Sequence, residues 1–200
     1  MIQDAKRGLF FTMVTMALFG GVYPMVLWGI ARLAFPAQAE GSLIRSAEGT
    51  IVGSRLIAQK FDQPGYFHPR PSGVDYNAAA TGGANYGPSN PDHLKAVRGR
   101  LDALVVAESA PASSVPSEMV TTSGSGLDPH IPPQAAELQI NRVATARGVD
   151  PSRVRTLLVR HIEPPTLGFL GRARVNVLEL NFALDREFGQ YNAAKSAEKR

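Results

Sequence analysis

Residues 8–31 read GLFFTMVTMALFGGVYPMVLWGIA, an uncharged run of 24 residues between Arg7 and Arg32. About 20 apolar residues rising ~1.5 Å each cross a hydrocarbon core of about 30 Å, so the run predicts a transmembrane helix with some tilt. Gly20, Gly21 and Pro24 interrupt it, and membrane helices tolerate such residues better than soluble ones do. Tyr23 and Trp28 are amphipathic aromatics, and Trp28 sits near the far end, where interface anchoring fits. A cleaved signal peptide is the competing reading, because Ala37-Gln38-Ala39 matches a small-residue cleavage site after the basic start Lys6-Arg7. The apolar stretch exceeds the roughly 7–15 residues of a signal h-region, and Arg32 stands between it and that site. An uncleaved anchor over 9–31 is therefore expected. Lys6 and Arg7 place residues 1–8 in the cytoplasm, while Arg32, Arg45 and Arg55 follow on the other side. Long domains translocate largely regardless of charge, so the bulk of the chain is expected outside.

Beyond the anchor, 200 residues leave room for one compact domain, expected over 40–190, with a flexible polar tail at 191–200. Lys and Arg number 21 against 17 Asp and Glu, a net charge of +4. Charged residues are 19% of the chain, below the roughly 25% of soluble domains, and the apolar run is the local cause. There is no cysteine, which excludes disulfide scaffolds, thiol catalysis and cysteine-based metal sites. The redox compartment stays open.

Ser42-Leu43-Ile44 and Thr50-Ile51-Val52, separated by Glu48-Gly49, fit a small hairpin. Residues 64–91 carry loop chemistry: Pro64-Gly65, Pro69, Pro71, Gly73, Gly82-Gly83 and Gly87-Pro88. So long an irregular stretch is functional or flexible, and Tyr66, Phe67, His68, Tyr76 and Tyr86 give it surface to bury or to bind with. Asn90-Pro91 starts a helix with a stripe at Leu94, Val97, Leu101, Leu104 and Val105. Ala110 to Ser114 is a surface connection, and Val115 to Val120 is a candidate strand. Pro132-Pro133 starts a helix with Ala136, Ile140, Val143 and Ala144 inward and Gly148 as its stop. Asp150-Pro151 caps the next, with Val154, Leu157, Leu158 and Ile162 inward. Arg174 to Val177 alternates as a strand would, and Leu178 to Phe188 fits strand or helix equally. The fold class expected is α+β, one N-terminal transmembrane helix followed by a single compact extramembrane domain.

Thr121-Thr122-Ser123-Gly124-Ser125-Gly126-Leu127-Asp128-Pro129-His130 is the densest polar motif. A Gly/Ser run before a helix can offer N–H groups to a phosphate, but no Walker lysine follows and a structured turn is the plainer reading. Ser123 and Ser125 beside Asp128 and His130 invite a hydrolase reading, yet no nucleophile elbow accompanies them. His68, His93, His130 and His161 lack metal-ligand spacing. Residues 142–174 hold seven arginines (142, 147, 153, 155, 160, 172 and 174) against Asp150 and Glu163, a solvated face or a partner contact rather than a nucleic-acid site. Tyr66, Phe67, His68 and Arg70, set among prolines, are candidate partner contacts or loop packing. No catalytic constellation assembles.

These segments together resemble one family. The carriers are Gly20-Gly21-Val22-Tyr23-Pro24, Gly41-Ser42-Leu43-Ile44, Gly53-Ser54, Leu56-Ile57, Gly65-Tyr66-Phe67-His68 and Arg70-Pro71-Ser72. Gln59, Gly82-Gly83-Ala84-Asn85, Ser89-Asn90-Pro91, Val115-Pro116 to Val120-Thr121, Ser125-Gly126-Leu127-Asp128, Ile131, Pro133-Gln134-Ala135-Ala136, Gln139-Ile140, Arg142-Val143-Ala144, Ala146-Arg147 and Val175 to Asn181 complete the set, over most of residues 8–185. The pattern is similar to KdpC, the C subunit of the Kdp potassium-transporting P-type ATPase.

The resemblance implies a non-catalytic accessory subunit at the bacterial inner membrane, with no tightly bound cofactor of its own. ATP and potassium are handled by the complex. Its implied partners are a potassium-channel-like subunit, a P-type ATPase subunit and a small membrane peptide. Its implied role is to assemble or stabilise the complex, or to act as a catalytic chaperone raising the ATPase subunit's affinity for ATP. In that second role Thr122, Ser123, Gly124, Ser125, Gly126 and Asp128 become nucleotide-contact candidates. An external domain cannot touch cytoplasmic ATP, so its effect would then travel as coupling between conformational states. Two alternatives stand beside it: an external cap gating potassium entry to the channel-like subunit, and a secreted binding protein cleaved after Ala39.

Overall fold

The structure, a computed structural model, describes residues 1–46 and 49–192. Its contacts form two units, residues 1–54 and 55–200. In the first, α1 (Ile2–Ala17) passes through a wide π-helical turn at Leu18–Val22 into α2 (Tyr23–Ala34). Tyr23 N–H closes that turn onto Leu18 O. Pro24 brings no N–H with which to continue the ordinary i→i−4 ladder, and Gly20 and Gly21 let the backbone widen just before it. Among the described residues, this 33-residue run is the one helix long and apolar enough to cross a membrane. It extends past the expected 9–31 at both ends, to about 50 Å at ~1.5 Å per residue. Leu9, Phe10, Phe11, Phe19, Met25 and Trp28 all stand exposed along it, an arrangement that water penalises and a bilayer does not.

Phe35 breaks the helix ahead of Pro36, and α3 (Pro36–Ala39) holds the Ala37-Gln38-Ala39 stretch in one turn. Arg32 Nη2 donates to Glu40 Oε1 at 3.1 Å. The expected hairpin is present as β1 (Leu43–Arg45) against β2 (Ile51–Ser54), antiparallel, with Leu43 opposite Ser54. Glu48, expected in its turn, lies outside the described residues, and so does the tail from 193 onward.

The second unit packs helices against a small antiparallel sheet. Its elements are α4 (Pro91–Glu108), β3 (His130–Ile131), α5 (Pro133–Arg147), α6 (Pro151–Arg160), β4 (Ile162–Glu163), β5 (Arg174–Asn176) and α7 (Val177–Phe188). The strand order is β3-β5-β4, with Ile131 opposite Val175 and Ile162 also opposite Val175. The core gathers Ile131, Ile140, Val143, Val154, Leu158, Val175, Leu180 and Leu184. Ala135, Ala136 and Ala144 on α5 let backbones approach closely there.

The caps follow local chemistry. Asn90 Oδ1 accepts from Asp92 N–H at 2.8 Å, and Asp150 Oδ1 accepts from Ser152 N–H at 2.7 Å. Gly148 closes α5 at φ +65°, a left-handed backbone that costs a residue with Cβ more.

Four expectations are corrected. Val115 to Val120 is not a strand: Pro116 leads into a single 3₁₀ turn at Ser117–Met119, which tucks Met119 and Val120 inward. Leu94 is exposed, so the inward stripe of α4 begins at Val97. Ile162 belongs to β4, because α6 stops at Arg160. Val175, Asn176 and Val177 are all buried instead of alternating, and Val177 already opens α7. The open choice at 178–188 resolves as helix. Asn176 Oδ1 accepts from Glu179 N–H at 3.2 Å and starts that helix where the strand ends.

Candidate functional site

Pro64 to His68 carries no regular secondary structure, although Phe67 is fully buried. Buried backbone groups need partners, and here side chains provide them. Asn181 Oδ1 accepts from Phe67 N–H at 2.8 Å while its Nδ2 donates to Phe67 O at 2.9 Å. Gln139 holds His68 in the same way, at 2.7 Å to the N–H and 3.1 Å to the carbonyl. Arg142 Nη1 donates to Pro64 O and Tyr66 O at 2.7 and 2.9 Å, and Arg147 Nε donates to Gly65 O at 2.6 Å. α5 and α7 thus grip the segment as a neighbouring strand would.

Charges back this grip. Arg142 Nε donates to the buried Glu108 Oε1 at 2.8 Å, and Arg147 Nη2 donates to Asp185 Oδ1 at 2.8 Å. Tyr66 OH donates to the other oxygen of Asp185, and the Arg147 guanidinium lies 4.9 Å from the Tyr66 ring centre. Tyr191 packs edge-on against Tyr66, and a Cβ on Gly65 would run into that Tyr191 ring. Burial, with the Arg142 charge added, lowers the His68 pKa to about 4. The neutral ring places Nε2 3.2 Å from Gln63 O. Among the partner-contact candidates, then, Phe67 fills the core, Tyr66 and His68 are held on its edge, and Arg70 turns to the second loop.

Arg70 Nη1 donates to Asp128 Oδ2 at 3.1 Å, and Nη2 reaches Thr122 O at 3.5 Å. Arg70 Nε is buried with no protein acceptor. Tyr76 OH donates to Arg70 O at 2.8 Å, and burial pushes that phenol up to about 12. Burial also pushes the Asp128 carboxyl up, but hydrogen bonds from the side chain and backbone of His130, with the Arg70 charge, outweigh it and hold the group below the usual range.

The remaining nucleotide-contact candidates are stitched to the residue 70–84 loop. Ser123 N–H donates to Pro71 O at 3.1 Å, Gly82 N–H donates to Ser125 O at 2.9 Å, and Ser72 Oγ donates to Gly126 O at 2.7 Å. Gly126 sits at φ +71°, where a Cβ would fall 2.6 Å from Val74 Cγ2 and 2.9 Å from Gly82 O. Only glycine fits both that backbone and that gap. Ser123 is buried, while Gly124 and Ser125 are exposed. Ser125 Oγ accepts from Leu127 N–H at 3.1 Å, and His130 Nδ1 faces Asp128 Oδ1 at 3.5 Å. Of the groups that a hydrolase would use, the Ser125 hydroxyl and the Asp128 and His130 side chains are engaged in holding the loop. Among the described residues no three His, Asp or Glu side chains converge as a metal site needs.

The arginine-rich segment is largely consumed by folding. Arg142 and Arg147 are structural, while Arg155 pairs with Glu137, Arg160 with Glu187 and Arg174 with Glu163. Its acidic partners come from outside residues 142–174 in every pair but the last, so the sequence window overstates the free charge. Gln139 and Asn181, which make four of the hydrogen bonds that grip the segment, enter the sequence reading only within the stretches that carry the family resemblance, with no role assigned. Their signal is a polar amide set within an apolar helical stripe, as Gln139 is between Ala136, Ile140 and Val143.

A family model described as KdpC, K+-transporting ATPase, c chain, matches residues 5–186. A potassium-transporting ATPase KdpC subunit of Geobacter sulfurreducens is 48% identical over 187 residues, covering 92% of this chain and 98% of its own. That of Polaromonas naphthalenivorans is 52% identical over 180 residues, 88% and 90% of the two chains. The Cereibacter sphaeroides subunit is 50% identical over 175 residues, 87% and 92%. With a family match over residues 5–186 and relatives about half-identical over roughly nine-tenths of the chain, the chain belongs to the KdpC family of K+-transporting ATPase subunits.

Proposed function

We propose that this chain is a non-catalytic accessory subunit of an ATP-driven potassium uptake complex. It is held in the inner membrane by residues 9–31 with its N-terminus in the cytoplasm and its main domain outside. Its partners are the channel-like subunit, the ATPase subunit and the small membrane peptide of that complex. It keeps the complex together and raises the ATPase subunit's affinity for ATP through coupled conformational states, not by touching the nucleotide.

One feature of the domain carries this reading. The side chains best suited to chemistry (Arg70, Asp128, His130, Gln139, Arg142 and Arg147) spend their polar contacts on the domain's own backbone and side chains. Such a body suits rigid docking, because these side chains are already committed within the domain. Thr122, Ser123, Gly124, Ser125, Gly126 and Asp128 then serve as a brace between two loops.

Linkage makes the coupling reciprocal: if the subunit tightens ATP binding, ATP tightens the subunit's hold on the complex by the same factor. Potassium-stimulated ATPase activity measured against ATP, with and without this chain, tests the proposal. The half-saturating ATP concentration is expected to rise about fivefold or more without the chain, within the usual range of coupling free energies. An unchanged ATP dependence in an intact complex lacking the chain would sink it.

A further inference from the structure

The connection between β4 and β5 forms a second, smaller hairpin. Thr166 N–H donates to Leu170 O and Leu170 N–H donates to Thr166 O, both at 2.9 Å. Gly168 N–H donates to Pro165 O at 2.9 Å, so the tip is a closed turn rather than a loose loop. Gly168 and Gly171 sit at φ +85°, and Leu167 itself takes φ +55°, a conformation that costs a branched residue. The tip nevertheless presents apolar side chains to solvent: Leu167 is 79% exposed, Phe169 74% and Leu170 50%. Other exposed large apolar residues of this unit, such as Leu56, Val106 and Val159, are scattered singly along its sequence. At the base of the tip Arg174 is paired with Glu163, whereas Arg172 is exposed and, among the described residues, pairs with no carboxylate.

We infer that the Leu167–Leu170 tip seats in the headgroup region of the bilayer that the chain's own helix crosses, with Arg172 against anionic lipid headgroups. The inference rests on the reading of residues 9–31 as a membrane span. Clustered apolar side chains in water mark a site of contact with protein or membrane. A specific protein interface buries roughly 800 Å² on each partner, and three side chains on a convex turn fall well short of that. A headgroup layer asks less: it accepts apolar side chains to a depth of about 5–10 Å and rewards a cationic rim. So small an anchor would not hold a free protein. A domain tethered by a membrane helix already has a high effective concentration at the lipid surface, so a weak contact suffices.

The test uses the full-length chain reconstituted in vesicles of phosphatidylethanolamine and phosphatidylglycerol. Trp28 is the sole tryptophan, so Phe169→Trp in a Trp28→Phe background gives a single reporter at the tip. Its emission is expected to be blue-shifted. Lipids brominated near the headgroup end of the acyl chain should quench it more than lipids brominated near the methyl end. Adding Arg172→Glu, or omitting phosphatidylglycerol, should weaken that quenching. Val106→Trp in the same background, on the exposed side of α4, should stay unquenched. A red, unquenched Trp at 169 overturns the inference, and so does equal quenching at 106. Shielding at 169 that appears only when companion subunits are present also overturns it, by assigning the tip to a protein groove. Native Trp28 is read separately: if brominated lipids leave it unquenched, the membrane-span reading fails first.

Discussion

Asn181 and Gln139 each satisfy both backbone groups of one residue, Phe67 and His68, in a segment with no strand beside it. Replacing Asn181 with leucine keeps the bulk and strands a buried N–H and a buried C=O. Each such group costs about 1–3 kcal/mol, so Asn181→Leu should destabilise the domain by about 2–5 kcal/mol in urea titrations followed by circular dichroism. A loss under about 1 kcal/mol would show that the segment is not held as described. His68 adds a pH signature. Its folded pKa of about 4 lies below the ordinary 6.5, so the unfolded chain binds the proton first as pH falls. Stability is complete above about pH 6.5 and declines towards pH 4, by up to about 3 kcal/mol. His68→Gln should flatten that part of the profile of Tm against pH, and an unchanged slope would contradict the assignment. From sequence, Tyr66 to Arg70 reads equally as loop packing or partner contact. Their holders lie 71 and 114 residues away, a distance no local pattern encodes.

Helix starts and stops were legible because their chemistry is local: Asn90, Asp150 and Gly148 each act within a few residues of themselves. Strands were less so. Val115 to Val120 has apolar ends but also Pro116, and with the ladder made elsewhere it folds as a turn. Leu178 to Phe188 carries no decisive period, and the outcome turned on Asn176, whose side chain caps α7 and also donates from Nδ2 to Arg55 O at 2.8 Å. The elements also differ in what they bury. Leu184 of α7 is fully buried in the core and Leu94 of α4 is exposed, although both fit an apolar helical stripe. Leu184→Ala should therefore cost about 2–5 kcal/mol by chemical denaturation, and Leu94→Ala less than about 1 kcal/mol. Similar losses at both positions would mean that α4 packs more deeply than the structure shows.

At the scale of the whole chain, one long exposed apolar helix and one polar-braced domain form separate units. The helix was plain in the sequence because a 24-residue uncharged run needs only length and hydropathy to be read. The fate of the seven arginines was not, since pairing with Glu108, Glu137, Asp185 and Glu187 depends on the fold. Placing the domain outside the membrane, which forces any effect on ATP to be indirect, is the claim on which the functional account turns. It is tested most directly by Ser113→Cys, a single cysteine at an exposed position in a chain that has none. Treated with a membrane-impermeant maleimide, this variant is predicted to label in intact cells as fully as in lysed ones. Labelling that appears only after lysis would put the domain in the cytoplasm, reverse the orientation, and make Thr122 to Asp128 a site for direct nucleotide contact.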